Sequence, residues 1–120
     1  MATSLGDVQR EDWDTVEADE EAGRRILDMA TGRASTMTRT DLAPFAKTRW
    51  VRQPYLELVT VINGWGTLLT GEPDEPERIT LSPGIVVGID PEEWWMVEAG
   101  GIGVVTISFW EGSRGAKHYR

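Results

Sequence analysis

The stretch Val51-Arg52-Gln53-Pro54-Tyr55-Leu56-Glu57-Leu58-Val59-Thr60-Val61-Ile62-Asn63-Gly64 decides the fold. It is rich in β-branched and large apolar residues, which fit a pleated strand, and successive strand residues point to opposite faces. One face therefore carries Val51, Gln53, Tyr55, Glu57, Val59 and Val61, and the other Trp50, Arg52, Leu56, Leu58, Thr60 and Ile62. Neither set suits open water. The first is expected to line an interior, and the second to be covered by the N-terminal segment or by a second copy of the chain.

Downstream, short apolar runs alternate with turn chemistry. Strands are expected at 66–70, 78–81, 85–89, 94–98 and 103–110, together with 48–53 and 55–62 around the deciding stretch. They are separated by Asn63-Gly64, the loop 71–76, Ser82-Pro83-Gly84 and Ala99-Gly100-Gly101. Upstream, the threonine-rich alternation of 35–40 suits another strand, closed by Pro44. Before it, Asp19 followed by Glu20 and Glu21, with Ile26, Leu27 and Met29 towards the end and Gly32 as a stop, predicts a short helix. Residues 1–18 are polar with one anchor, Trp13. The chain thus divides into an acidic N-terminal segment with a short helix packing on the barrel (1–32), an all-β antiparallel barrel (33–112) and a loose tail (113–120).

The 120 residues suffice for one domain with its own core. There is no cysteine, so neither a disulfide framework nor a thiolate is available. No apolar run approaches a membrane span and no signal-like start is present, which points to a cytoplasmic protein. Twenty acidic against twelve basic residues give a net charge of −8. Such a surface repels phosphate, so nucleic acid is not an expected partner.

The deciding stretch resembles the first motif of the cupins, small jelly-roll barrels. That motif has two histidines two apart, then a glutamate, then a glycine seven positions later. Glu57 and Gly64 keep the last spacing, and the histidine positions fall on Val51 and Gln53. Leu81-Ser82-Pro83-Gly84 and the run Asp90 to Trp95 resemble the second motif, with its histidine position on Trp95. The resemblance spans roughly 35–110. It implies a cupin barrel that keeps one of four metal-binding positions. A lone carboxylate does not hold a divalent metal, and the only histidine, His118, lies in the tail, so no metal and no other cofactor is expected.

Glu57 is the candidate catalytic residue. Among Tyr55, Val59, Val61 and Trp95 it is expected to be desolvated, with a raised pKa suited to acid–base work; the alternative is a structural glutamate tied to Arg49, Tyr55 or Gln53. Gln53, Tyr55, Trp95, Trp50, Trp110, Val51 and Ser108 are candidate substrate-binding residues, with Thr106 a weaker one. Six tryptophans in the chain favour a hydrophobic or ring-containing ligand. Arg39 and Arg49 are candidates for an anionic ligand group or for surface pairing. The resemblance implies a metal-independent cyclase, isomerase or dehydratase acting on a natural-product intermediate such as a polyketide. A non-catalytic binder and a homodimer with a filled pocket are the alternatives. A homodimer formed through the outer face of the deciding strand is expected.

Overall fold

The computed structural model describes residues 2, 4, 6–31, 35–112 and 117–120. Among the described residues nine strands carry the fold: β1 (Asp14–Asp19), β2 (Arg24–Thr31), β3 (Ser35–Leu42), β4 (Val51–Arg52), β5 (Glu57–Thr70), β6 (Glu77–Leu81), β7 (Val86–Ile89), β8 (Trp95–Glu111) and β9 (His118–Tyr119). Every pairing is antiparallel, and no helix occurs among the described residues.

Two long strands, β5 and β8, form the spine. The first half of β5 lies between β7 and the second half of β8, with Glu57 opposite both Ile89 and Trp110. The second half of β5 lies between β6 and the first half of β8, with Gly66 opposite Leu81 and Ala99. The sheet continues from β8 through β3 and β2 to β1 on one flank, and through β4 to β9 on the other. It curls around a core of Leu42, Val59, Val61, Leu68, Val97 and Val104 with their neighbours.

Several expectations are corrected. The helix expected from Asp19 is a hairpin into β2. Asp19 does cap a backbone N–H, that of Ala22 at 3.0 Å, but Gly23 turns the chain at φ +70° and Arg24 onwards pairs with β3. The apolar spacing fits both periods, and long-range pairing decides between them: Leu27 and Met29, two apart, are both buried. The expected stop, Gly32, lies outside the described residues. Instead of lying over the barrel, the β1–β2 hairpin extends its sheet beside β3.

Neither Asn63-Gly64 nor Ala99-Gly100-Gly101 ends a strand. Both lie inside the two spine strands, where register shifts between Val61 and Asn63 and between Gly64 and Gly66 mark bulges. Gly64 is used for close approach: a Cβ there (φ +75°) would sit 2.1 Å from the Gly103 carbonyl oxygen. Bulges bend strands, and this one lets β5 and β8 pass through the curl without a break. The strand expected over 48–53 shrinks to β4. Residues 113–116 of the expected loose tail lie outside the described residues, while 117–120 are placed by β9, which pairs with β4. No helix of the described residues is long and apolar enough to cross a membrane.

Candidate active site

The parity of the deciding stretch positions the site. Val51, Gln53, Glu57, Val59 and Val61 are all buried, as an inner face requires, and Glu57 opens β5 with 1% of its surface exposed. The partner that answers its charge comes from the other end of the sheet. Val51 pairs with Trp95 of β8 on one side and with Tyr119 of β9 on the other. This row holds the chain next to Lys117, whose Nζ donates to Glu57 Oε1 at 2.5 Å. Both side chains are buried, at 5% and 1% exposure. The ammonium also lies 4.0 Å above the Trp110 ring and 5.6 Å from that of Trp95.

Glu57 is desolvated, as expected, and its surroundings are not wholly apolar: it is a member of an ion pair. Two charges withdrawn from water gain from lying in contact, and removing either takes a charged neighbour from the other.

The pair faces a cavity of about 60 Å³. Strand register builds its walls in rows. Thr38 and Ser108 are cross-strand neighbours on β3 and β8, and Ile26 lies opposite Thr40 on β2 and β3. Of the residues expected at the site, Glu57, Trp95, Trp110, Val51 and Ser108 line this cavity, and so does Arg49, a candidate for an anionic ligand group. Gln53, Tyr55 and Trp50 do not. Gln53 is buried behind Trp95, whose Nε1 donates to Gln53 Oε1 at 3.1 Å, and its main-chain carbonyl accepts from Glu92 N–H at 2.7 Å. Tyr55 stacks on Trp110 with ring centroids 6.3 Å apart. Trp50 is half-buried beside β9, its carbonyl accepting from Arg120 N–H. Thr106 is buried but also off the cavity, and Arg39 is occupied by Asp41 and by the carbonyls of Val8 and Arg10.

Sequence reasoning missed Lys117, Thr38, Thr40, Thr48, Arg24 and Glu17, all of which line the cavity. No local pattern marks Lys117. The one usable signal was chemical: a carboxylate on the inner face of a barrel requires a cation from elsewhere in the chain.

The residues do not suit a divalent metal. The positions beside Glu57 that would supply donors are Val51, Gln53 and Trp95, and the ammonium of Lys117 lies against Glu57 Oε1. Among the described residues no three His, Cys, Asp or Glu side chains gather to hold a metal.

No family model matches the sequence, and no curated protein is similar to it. Solved structures are. A cupin-2 domain protein from Rhodospirillum rubrum superposes with a TM-score of 0.77 at 12% identity, covering 100% of this chain and 83% of that one. An RmlC-like cupin from Shewanella frigidimarina gives 0.75 at 9% identity, covering 94% of each chain. Oxalate oxidase gives 0.69 at 14% identity over 82% of this chain, which spans 55% of that chain, about half its length. At these identities the likeness is one of fold: the chain has the cupin jelly-roll fold.

Proposed function

We propose that this cupin-fold chain is a metal-independent enzyme of the cyclase, isomerase or dehydratase kind, with Glu57 as its acid–base residue. The observation that carries the proposal is the Glu57–Lys117 pair, buried yet lining a cavity. A buried ion pair is often no more stabilising than apolar residues of the same volume, so its presence on a cavity wall favours a chemical use. In that use Glu57 takes a proton from substrate and returns it at a neighbouring atom. The Lys117 ammonium stabilises the negative charge that develops on a substrate oxygen, and Trp95 and Trp110 fix the plane of the reacting group.

The volume narrows the substrate. About 60 Å³ is less than the roughly 150 Å³ that holds benzene, so an extended polyketide does not fit inside. The group that enters is a short fragment of a few atoms, and the rest of any larger molecule stays at the mouth.

The test is product analysis across short carbonyl and hydroxy compounds, alone and as ends of larger molecules, with tryptophan fluorescence read in parallel. Glu57→Gln is expected to lower turnover by about 10²–10⁴-fold while leaving quenching in place. A variant that loses affinity alone would make the chain a binding module. Silence from every compound would leave the pair a structural one.

We also propose that a second copy of the chain covers the outer face of β5. Across β3, β8, β5 and β7 that face presents Met37, Phe109, Leu58 and Gly88 as one row, with Leu56 at 48% exposure beside it. An apolar row on a sheet face is self-complementary under a two-fold axis.

A further inference from the structure

Among the described residues five Arg, Lys and Glu side chains line the cavity: Arg24, Arg49 and Lys117 with Glu17 and Glu57. Lys117 is on Glu57, and Arg24 Nε is 2.5 Å from Glu17 Oε1. Among the described residues Arg49 has no carboxylate partner; its guanidinium lies 4.8 Å above the Tyr119 ring. Arg49 thus brings a positive charge to a cavity in a chain whose net charge is −8. Beside it in sequence, Thr48 Oγ1 accepts the N–H of Val97 at 3.0 Å, which leaves the hydroxyl hydrogen to donate elsewhere. Thr48 also lines the cavity.

From this arrangement we infer that the cavity takes a small molecule bearing a carboxylate. Arg49 holds that carboxylate at the mouth with paired hydrogen bonds, and Thr48 donates a further one. The uncharged remainder lies between Trp95 and Trp110 towards Glu57 and Lys117. A guanidinium is a planar fork matched to a carboxylate, and stacking on Tyr119 holds that fork in one orientation before the ligand arrives. The surrounding acidic surface repels anions in general, so an unpaired cation at the cavity selects those able to reach it. The volume admits only a short chain behind the carboxylate. The inference rests on the acid–base reading of the site and names its substrate class.

The test compares acetate, propionate and pyruvate with acetamide, propionamide and pyruvamide, each titrated at constant ionic strength against intrinsic tryptophan fluorescence. The acids are expected to bind at least about tenfold more tightly than the amides. Arg49→Leu should remove that difference and Arg49→Lys retain part of it, with circular dichroism confirming that both variants fold. Amides binding as well as acids, acids binding Arg49→Leu as well as the parent, or no binding by either set overturns the inference. The acid–base reading fails separately: Glu57→Gln would then keep full turnover while the preference for acids stands.

Discussion

Glu57 and Lys117 act as one unit, and their energetics follow from being buried together. Lys117→Met leaves a carboxylate at 1% exposure without its ammonium and is expected to destabilise the fold by about 3–5 kcal/mol in urea titration. Adding Glu57→Gln to that variant removes the stranded charge, so the double variant should be more stable than Lys117→Met alone. Strict additivity of the two changes would show that the pair is not coupled. Half of this unit was legible in the sequence. Parity placed Glu57 inside, among residues that are indeed buried, whereas Lys117 lies sixty positions away with no periodicity around it. The same limit explains Gln53 and Tyr55. Parity gives the face of a strand, but the cavity occupies only part of the interior, and Trp95 and Trp110 stand between these side chains and it.

At the scale of elements, turn residues were read correctly where they end strands, at 71–76 and Ser82-Pro83-Gly84, and misread where they bend them. Asn63-Gly64 carries the chemistry of a hairpin turn, and what makes it a bulge is the facing Gly103 and Val104, which lie far off in sequence. Gly64→Ala is expected to cost at least about 2 kcal/mol in thermal or urea unfolding, because the added Cβ meets backbone and the residue is held at φ +75°. Gly71→Ala, with open space around it, should cost less, only what its φ of +96° demands. The β1–β2 hairpin has its own anchor. Arg25 hydrogen-bonds Asp41 and Glu11, which raises its pKa, and the Arg25 guanidinium holds the Glu11 carboxyl below the usual glutamate range. A depressed carboxylate stabilises above its unfolded value and ceases to as pH falls through its folded one. The protection of amides in residues 6–13, corrected for the intrinsic pH dependence of exchange, should therefore fall on acidification below the ordinary glutamate range. Glu11→Gln should show the lower protection already at neutral pH.

For the molecule as a whole, the outer row of Met37, Phe109 and Leu58 sets the expected assembly. Sedimentation of the parent chain should give a dimer, and Leu58→Glu combined with Phe109→Glu a folded monomer; a parent that sediments as a monomer would remove the second copy from the proposal. The apolar outer face was evident from the alternation in 51–62, but which strands continue it depends on sheet order, and no local signal encodes that.

The way β8 serves both ends of the sheet also bears on how fast the chain reaches its native state. Its partners Ser35, Val51 and Glu57 meet Glu111, Trp95 and Trp110 respectively, so almost nothing in the spine closes locally. Such topologies fold in milliseconds to seconds, because loop entropy is lost before contacts repay it. Among the named strands β9 pairs with β4 alone, so the contact of Lys117 with the Trp110 ring reports the seating of this end of the sheet. Stopped-flow tryptophan emission of the parent chain should therefore change within that time range, and a Lys117→Met background should show a smaller change as the ammonium no longer reaches the Trp110 ring.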